Sequence, residues 1–346
     1  MRNPPALFMA LLSIGSFLFT YNFVSIIVTS NEKQNKFVLD PLVEMPEHVK
    51  RSRNHQRPFH VALTATDTPY SKWQCRIMYY WYKNKKDLPG SNMGKLTRIL
   101  HSGGPDNLMD EIPTVVVDPL PPGLDRGYVV LNRPWAFVQW LEKSTIEEEW
   151  VCSLLKAFPF FYIKPVENEK LIRKFFPEAM GPVSNVDPIG NSPVIIKKDL
   201  LKEIAPTWLN VSLKMKNDPE TDRKFGWVLE MYGYAVASAL HGVQHILRND
   251  FILQPPYDLE TQTKFILHYT YACDFNLKGE LIYPKVGEWR FDKRAYLDAP
   301  PPRNLPLPPR GVPESVVTLV RLVNEATAKL PNWQTTEVNS SSIGRS

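Results

Sequence analysis

One segment of this chain brings together a histidine, a lysine and a glycine in an order that suits diphosphate chemistry. The segment runs His268-Tyr-Thr-Tyr-Ala-Cys-Asp-Phe-Asn-Leu-Lys278-Gly279. An imidazole can ligate a divalent ion that bridges two phosphates, while an ammonium and a backbone amide can hold the oxygens of a departing nucleotide. The pattern predicts His268 as a metal ligand and Lys278 and Gly279 as diphosphate-binding groups. The alternative is structural, with His268 bonded to a backbone carbonyl and Lys278 on the surface.

A second group of polar residues is formed by Asp187-Pro-Ile-Gly-Asn-Ser-Pro193 and by Glu230. Gly190 allows the backbone to approach a ligand, and Asn191 offers a donor and an acceptor together. Glu230 lies in an otherwise apolar helical sequence, WVLEMYGYAVASAL, so its carboxylate is expected to face inward. Two interpretations are open: a salt bridge with an arginine such as Arg290, or contact with an acceptor hydroxyl or with positive charge that builds on a sugar ring.

Two further patterns are weaker. His241 and His245 are four residues apart near the end of the same predicted helix, but histidines on helix surfaces are more common than metal ligands. The helix start at Asn132-Arg133 could receive an anion, although capping of the helix by Asn132 explains the pattern equally well.

The elements that must position these residues alternate between strand and helix. Short apolar runs predict strands, and apolar residues at helical spacing predict helices, from a fold that begins near Pro58. The predicted strands are 59–66, 96–100, 114–117, 193–196 and 265–269, and the predicted helices start at Tyr70, Asn132 and Trp227. Lys83–Lys86 is predicted to be a solvated loop, 300–313 a proline-rich extended connector, and 314–330 a last amphipathic helix. The alternation predicts the α/β class.

Composition excludes several functions. The net charge of +5 is spread over a chain that also holds 36 acidic residues, which is unlike a nucleic-acid-binding face. The sequence has no Walker A loop, G-x-G-x-x-G, G-x-S-x-G or H-E-x-x-H motif. Three cysteines allow at most one internal disulfide, for which Cys75 with Cys273 is the pairing considered.

The amino end carries an uninterrupted apolar run from Leu7 to Val28. A helix of this length, at 1.5 Å per residue, is about 33 Å long and can cross a bilayer core of about 30 Å. The run therefore predicts a membrane anchor over 7–28 with a cytosolic tail at 1–6, and the polar residues 29–57 predict a stem. This anchor predicts a type II protein with a lumenal body, and the two acceptor sequons at Asn210 and Asn339 are compatible with that orientation. The polar residues 334–346 predict a disordered tail.

A series of longer motifs resembles the plant hydroxyproline O-arabinosyltransferases over Phe59 to Trp333. The motifs that carry the resemblance are VALTATDTPYSKWQCRIMYYWYK, GYVVLNRPWAFVQWLEK, FPFFYIKP, DPIGNSPVIIKK, PTWLNVSLKMKNDPETD, GWVLEMYGYAVASALHG and HYTYACDFNLKGE. The resemblance implies a GT-A-like glycosyltransferase domain over 58–333, held as a single-pass type II protein in the Golgi membrane. It also implies transfer of L-arabinofuranose from UDP-β-L-arabinofuranose to peptidyl hydroxyproline, with retained anomeric configuration and a divalent metal, expected to be manganese.

The residue roles implied by this resemblance follow the two groups described above. Thr64, Ala65 and Thr66, at the end of the first strand, are expected at the uridine, Lys278 and Gly279 at the diphosphate, and His268 at the metal. Asn191 and Glu230 are expected beside the reacting sugar and the acceptor. The expected partners are hydroxyproline-containing secreted peptides or wall proteins and the membrane, with a homo- or heterodimer with relatives as a further possibility and no nucleic acid.

The chain departs from the family in one place. Between the parts that match Thr145–Glu149 and Phe158–Phe161, family members carry a strand and loop with Glu-Pro-Asp-His, similar to an Asp-x-Asp metal site. Here only Trp150-Val-Cys-Ser-Leu-Leu-Lys-Ala157 lies between them, without a carboxylate. A hard divalent ion needs carboxylate oxygens, so the metal is expected to be weakly held or absent. The alternatives to an active enzyme are a non-catalytic membrane-anchored partner and a splice or gene-model variant.

Overall fold

The computed structural model describes residues 58–89, 91–259, 266–282 and 284–333. The predicted cytosolic tail, membrane anchor, stem and carboxyl-terminal tail lie outside these residues. Within the described ranges, no helix combines the length and the apolar character needed to span a membrane.

A mixed sheet forms the centre of the molecule and confirms the predicted α/β class. Its strand order is β3-β2-β1-β4-β5, with β6 paired to β4. Strands β1, β2 and β3 are parallel, β4 is parallel to β1 and to β6, and β5 runs antiparallel to β4. The strands are β1 (Phe59–Ala65), β2 (Met93–Leu100), β3 (Thr114–Val116), β4 (Trp150–Pro159), β5 (Ile189–Lys197) and β6 (Ile246–Leu247). Because β5 is antiparallel, its beginning lies at the same edge as the carboxyl ends of β1 and β2.

Helices cover both faces of this sheet and form a core on each face. The side chains of β1 point alternately into these two cores. Val61, Leu63 and Ala65 pack into a cluster with Cys75, whereas Ala62 packs into the larger core. The helices are α1 (Pro69–Lys86), α2 (Asn132–Lys143), α3 (Glu169–Ile172), α4 (Lys198–Asn217), α5 (Pro219–Phe225), α6 (Leu229–Leu240) and α7 (Glu314–Lys329). The larger core takes most of its helical side chains from α2, α4 and α6, and α2 and α6 position the site described below.

Strand β4 changes its neighbours along its length. Trp150 and Val151 pair with Phe59 and His60 of β1, whereas Lys156 and Ala157 pair with β6. On the other side, Val151 faces Ile196 of β5 and Lys156 faces the adjacent Ile195, so residues 152–155 form an enlarged bulge. The described pairing of β1 with β4 thus stops at His60, although its pairing with β2 continues to Ala65.

The carboxyl-terminal part packs onto α1 through a second set of aromatic residues. It contains β7 (Ile252–Leu253) paired with β8 (Ile266–Leu267), β9 (Cys273–Phe275) paired with β10 (Trp289–Phe291), and α7. Residues 300–313, all of them described, form neither helix nor strand. Instead, the indoles of Trp289 and Trp333 donate hydrogen bonds to the carbonyls of Pro306 and Pro301. Proline carbonyls can accept such bonds although proline has no N–H to donate.

Four local predictions need correction. The predicted loop Lys83–Lys86 is the last turn of α1, because Lys83, Lys85 and Lys86 each lie over an aromatic ring one turn earlier in the helix. Asn132 is the first residue of α2 and does not cap it; its side-chain oxygen accepts instead from the Leu120 N–H at 2.7 Å. The strand predicted over 265–269 is shorter, since β8 holds Ile266 and Leu267.

The disulfide considered between Cys75 and Cys273 is the fourth correction. Both residues are free cysteines and both are buried. Cys75, on α1, packs with Ala65, whereas Cys273 packs with Phe275 and α7 in a separate cluster. Burial raises the pKa of both thiols, to about 11 for Cys75 and about 12 for Cys273, so both are protonated at neutral pH.

Candidate active site

The ends of several elements meet at one edge of the central sheet. The carboxyl ends of β1 and β2 lie there, together with the beginning of β5 and the first turns of α2 and α6. In sheets with parallel strands, ligands bind at this edge because loops and helix starts converge there. Thr64–Thr66, His101, Arg133, Asn191 and Glu230 all belong to these ends.

An ion pair between Arg133 and Glu230 is the central contact of this edge. The Nη1 atom of Arg133 lies 3.2 and 3.3 Å from the two carboxylate oxygens and 3.5 Å from Oδ1 of Asn191. The side chain of Glu230 is 1% exposed and that of Arg133 is 36% exposed. The inward orientation predicted for Glu230 is therefore confirmed, and the structure brings it together with Asn191.

The partner of Glu230 differs from the arginine considered in the sequence. Arg290 pairs with Asp292 at 2.8 Å and with Asp274 at 3.4 Å, both on or next to the β9–β10 hairpin. Arg133 was considered only as part of an anion-binding helix start, because the sequence does not show that α2 and α6 begin side by side.

The environment of Glu230 makes its carboxyl group a weaker acid than an ordinary glutamate. Burial raises its pKa to about 7, against the opposing charge and hydrogen bond of Arg133. Three polar contacts hold the backbone at the start of α6. The Tyr128 hydroxyl donates to the Trp227 carbonyl at 2.7 Å and lies 3.4 Å from the Glu230 N–H. The Trp208 indole donates to the Glu230 carbonyl at 3.0 Å. The carboxyl group is thus fixed in place and able to exchange a proton near neutral pH.

Gly190 lies where β5 approaches α6. A Cβ atom at this position would lie 2.1 Å from Cε of Met231, so the glycine allows β5 to pack closely against α6. The predicted approach of this glycine to a ligand is not tested by this contact.

His268 lies directly after β8 and faces positively charged groups. Its N–H donates to the Leu253 carbonyl at 2.8 Å, and its Nδ1 lies 3.0 Å from the Thr270 hydroxyl. Burial, together with the charges of Lys293 and Arg133, lowers the pKa of His268 to about 4. His268 is therefore a neutral imidazole at physiological pH, and the positive charges of Lys293 and Arg133 disfavour its protonation.

Lys293, which sequence reasoning missed, follows β10 and is half-buried. Its N–H donates to the Tyr269 hydroxyl at 2.8 Å, and its ammonium lies 5.7 Å from the centroid of the same ring. Burial lowers the pKa of Lys293 to about 8, with the Arg294 charge acting in the same direction and the Asp292 charge opposing it. A lysine two residues after an alternating strand gives no signal in the sequence that would distinguish it from a surface residue.

His101 is a second residue that sequence reasoning missed. It follows β2, and its N–H donates to the Ala65 carbonyl at 3.0 Å, which joins the ends of β1 and β2. Burial lowers its pKa, and the Arg133 charge acts in the same direction. A histidine at the carboxyl end of a parallel strand, followed by Ser-Gly-Gly-Pro, was the available signal.

The residues predicted to hold the uridine lie at this same edge. Thr64 and Thr66 are half-buried and Ala65 is buried. The Thr66 N–H donates to the Ser71 hydroxyl at 3.1 Å, and the Thr66 hydroxyl lies 3.0 Å from that of Thr68, the N-cap residue of α1. Their role in binding uridine stays a prediction.

Lys278 and Gly279 lie at the exposed end of the β9–β10 hairpin. Lys278 is exposed, and it takes no part in the described contacts of His268. Gly279 has φ +83°, and a Cβ atom there would lie 2.4 Å from the Arg310 carbonyl oxygen, so the glycine serves packing against the connector. Their predicted role at a diphosphate is not tested by these contacts.

The two histidines of the α6 end have separate partners. Nε2 of His241 lies 2.8 Å from the Thr207 hydroxyl, whereas Nδ1 of His245 lies 3.1 Å from the Asp187 carboxylate.

The residues around His268 do not fit a divalent cation. Among the described residues, no three or more His, Cys, Asp or Glu side chains come together in a way that could hold a metal ion. The charged groups that act on His268 are cations, which repel a metal ion, and residues 150–157 contain no carboxylate. A hard divalent ion requires several oxygen ligands.

Comparison with known proteins places these observations in a family. The hydroxyproline O-arabinosyltransferase family N-terminal domain matches residues 59–154 and 152–247, and the family's C-terminal domain matches 265–334. The two N-terminal segments meet at 152–154, inside the bulge of β4. Hydroxyproline O-arabinosyltransferase RDN2 of Medicago truncatula is 65% identical over 359 aligned positions, which cover 97% of this chain and all of the relative. Hydroxyproline O-arabinosyltransferase 3 of Arabidopsis thaliana is 63% identical, with 97% of this chain and all of the relative covered.

The longer of these alignments shows that the relative has residues that this chain lacks. Its 359 positions exceed the 346 residues of the chain, and the family match is divided within β4. Both observations agree with a segment missing between Glu149 and Phe158. Over nearly its whole length, nevertheless, the sequence matches these enzymes at high identity. The chain therefore belongs to the hydroxyproline O-arabinosyltransferase family of glycosyltransferases.

Proposed function

We propose that this chain transfers L-arabinofuranose from UDP-β-L-arabinofuranose to the hydroxyl group of hydroxyproline in secreted peptides and wall proteins, on a GT-A-like domain. The observation that carries the proposal is the Arg133–Glu230 pair beside Asn191, at the edge of the sheet where the predicted uridine residues Thr64–Thr66 also lie. The family to which the chain belongs supports the donor and the acceptor.

In the proposed reaction, Glu230 accepts the proton of the acceptor hydroxyl. The acceptor oxygen forms a bond to C1 of the sugar as the bond from C1 to the diphosphate oxygen breaks, and the bonding electrons leave with UDP. Attack from the face that the diphosphate leaves retains the anomeric configuration. A carboxyl group whose pKa is about 7 is suited to exchange this proton near neutral pH. Asn191, beside Arg133, is placed to orient a sugar hydroxyl.

The proposed location is the Golgi membrane, with the body in the lumen. The apolar run Leu7–Val28 supports a single type II anchor. Asn210 of the first sequon is exposed on α4, where a glycan could be attached on the lumenal side. Endoglycosidase treatment should increase the mobility of the wild-type chain but not of Asn210→Gln with Asn339→Gln. An unchanged mobility in plant cells would contradict the lumenal orientation.

The test of the reaction uses the full-length chain in detergent with UDP-β-L-arabinofuranose and a hydroxyproline peptide. Mass spectrometry should show addition of one pentose to the peptide, with release of UDP. A peptide with proline in place of hydroxyproline is the control and should remain unmodified. Donor consumption without peptide modification, or no turnover at all, would contradict the proposal.

A second function is favoured by the missing segment in β4. A membrane-anchored partner without catalysis would keep the acceptor-binding surface and pair with an intact relative. The divided family match and the bulge at 152–155 support this alternative. Co-purification with a full-length relative, combined with no transfer by the chain alone, would favour it over the enzyme.

A further inference from the structure

We infer that Trp227 and Val129 form an apolar rim beside the Arg133–Glu230 pair, and that this rim binds a proline-rich acceptor peptide in the polyproline II conformation. The identification of the peptide as the acceptor rests on the proposed function. The rim would hold the prolines next to the hydroxyproline, whose hydroxyl group would then reach Glu230.

Trp227 lies one helical turn before Glu230. The 3-10 turn that contains Trp227 continues directly into α6, and residues three apart along a helix are neighbours on one face. The Tyr128 hydroxyl joins the two residues, since it donates to the Trp227 carbonyl at 2.7 Å and lies 3.4 Å from the Glu230 N–H. The backbone of Trp227 is therefore fixed relative to the carboxyl group of Glu230.

The side chain of Trp227 is exposed although its backbone is held. The residue is 74% exposed, and its ring meets the buried Tyr128 ring at 84° with the centroids 5.9 Å apart. Gly226 ends α5 with φ +48°, so the chain turns sharply just before Trp227. A large apolar ring that is fixed at its base and open to water can bind a ligand without rearrangement, which favours binding.

Val129 holds the corresponding position on the helix that carries Arg133. The 3-10 turn that begins at Val129 continues into α2, and Arg133 follows four residues later, so the two residues share a face. Val129 is 60% exposed and directly follows Tyr128, whose ring contacts Trp227. An exposed apolar residue thus precedes each member of the Arg133–Glu230 pair by one turn, and Tyr128 connects the two sides of the rim.

A proline-rich peptide complements this arrangement. Its rings are apolar, and its proline residues have carbonyl groups but no N–H groups, so it requires apolar contacts and hydrogen-bond donors from a receptor. The rim offers the apolar contacts, and the partly exposed guanidinium of Arg133 offers donors. Proline-rich segments bind to exposed aromatic side chains in this way because their extended helix is already formed before binding.

The spacing of the rim also fits such a peptide. A polyproline II helix rises about 3.1 Å per residue, so a proline two residues from the hydroxyproline lies about 6 Å from it. One turn of an α-helix, the separation of Trp227 from Glu230, is about 5.4 Å long. A proline can therefore lie against the indole while the hydroxyproline lies at the carboxyl group.

The test measures binding of two pentapeptides to the full-length chain in detergent by calorimetry, without a sugar donor. Both have a central hydroxyproline, flanked on each side by two prolines in one peptide and by two alanines in the other. The wild-type chain should bind the proline-flanked peptide about tenfold more tightly. Trp227→Ala should reduce this preference to about twofold or less, and Val129→Ala should reduce it by about threefold. No preference in the wild type, or an unchanged preference in Trp227→Ala, would overturn the inference.

Two control variants separate peptide recognition from folding. Trp227→Phe keeps an aromatic ring and should retain a preference of about fivefold. Val286→Ala is the matched control for Val129→Ala, because Val286 is also an exposed valine but lies just before β10, and its preference should stay within about twofold of the wild type. Loss of the preference in Val286→Ala as well would contradict the assignment to the rim.

Two further measurements exclude other roles of the indole. The midpoint of thermal unfolding of Trp227→Ala should stay within about 2 °C of the wild type, because the ring is exposed. A larger decrease would show that the ring serves packing and would contradict the inference. If Trp227→Ala converts a dimer of the chain into a monomer in size-exclusion chromatography and leaves the peptide preference unchanged, the rim is a contact between two copies and the inference is wrong.

Failure of the inference is distinguishable from failure of the proposed function. A preference for the proline-flanked peptide that depends on Trp227, without transfer of arabinose to either peptide, would support the inference and contradict the function. Equal transfer to both peptides by the wild type and by Trp227→Ala would support the function and overturn the inference.

Discussion

Two arginines that pair with fully buried carboxylates, Arg98 and Arg133, differ in geometry. Arg98 and Asp106 are both completely buried and form two parallel hydrogen bonds of 2.8 and 2.6 Å, and Nε of Arg98 donates to the Thr114 hydroxyl at 3.0 Å. Arg133 reaches both oxygens of Glu230 with one nitrogen, at 3.2 and 3.3 Å, and remains 36% exposed.

This difference separates a structural pair from one that retains donors for a ligand. In the first pair every nitrogen of the guanidinium is used inside the protein. Burial raises the pKa of Asp106, but the Arg98 hydrogen bonds, the Leu108 N–H and the Arg98 charge outweigh it and leave the pKa below its usual value. In the second pair, burial dominates and the pKa of Glu230 is raised to about 7. The Arg98–Asp106 pair, called the closed pair below, keeps Asp106 ionised at neutral pH. In the Arg133–Glu230 pair, the carboxyl group of Glu230 can exchange a proton near neutral pH.

The largest predicted effect is on stability when the closed pair is broken. Arg98→Met leaves the Asp106 carboxylate buried without its partner, so the free energy of unfolding should fall by about 3–5 kcal/mol. Arg133→Met should cost less than about 2 kcal/mol at neutral pH, because Glu230 can take up a proton instead. Urea unfolding followed by tryptophan fluorescence measures both values. Equal losses would show that the two pairs have the same structural role.

The next predicted effect is a dependence of stability on pH that comes from Glu230. Between its ordinary pKa of 4.5 and its folded value of about 7, the folded chain retains a proton that the unfolded chain has released. Stability from this group is therefore complete below the lower value and is lost as pH rises, by on the order of 3 kcal/mol across the window. For Asp106 the direction is opposite, since its pKa is lowered and its contribution is lost on acidification.

The measurement is the difference between wild type and Glu230→Gln in urea unfolding at several pH values between 5 and 8. Other titrating groups are common to both proteins and cancel, so the difference isolates Glu230. A difference that does not change with pH would mean that Glu230 is ionised throughout this range, as in the closed pair.

Glu230→Gln should also reduce arabinose transfer by about 100-fold, which corresponds to about 2.7 kcal/mol of activation free energy. An amide cannot take the proton of the acceptor hydroxyl, although it occupies the same volume and still accepts a hydrogen bond from Arg133. The rate of pentose addition to the peptide at saturating donor measures the loss. If transfer is unchanged while stability changes, Glu230 has only a structural role.

The sequence was sufficient for the α/β class and for the inward orientation of Glu230, because both follow from local patterns of apolar residues. It was also sufficient to identify the departure at 150–157, since an aligned family pattern has identifiable ends. It did not predict that Arg133 faces Glu230, or that Lys293 lies over the ring of Tyr269. Those contacts depend on how α2, α6 and β10 meet in space, which apolar periodicity does not encode.

Local chemistry also explains a wrong prediction and one that stays open. The charges of Lys83–Lys86 predict a solvated loop when they are considered alone. In the structure, Lys83, Lys85 and Lys86 each lie over an aromatic ring one turn earlier, which stabilises the last turn of α1. For Gly190 an approach to a ligand stays a prediction, whereas its closest neighbour in the structure is Met231, on the helix that begins at Leu229. A glycine indicates a close approach without identifying the approaching group.

The smallest predicted effect comes from replacing each arginine with lysine, which keeps the charge and removes the fork of donors. Arg98→Lys should lower the free energy of unfolding by about 2 kcal/mol, because one ammonium cannot satisfy both oxygens of Asp106 and the Thr114 hydroxyl. Arg133→Lys should cost less than about 1 kcal/mol, since a single nitrogen already makes all described contacts with Glu230 and Asn191. A stability loss in Arg133→Lys as large as that in Arg98→Lys would show that the second guanidinium is used for packing rather than held ready for a ligand.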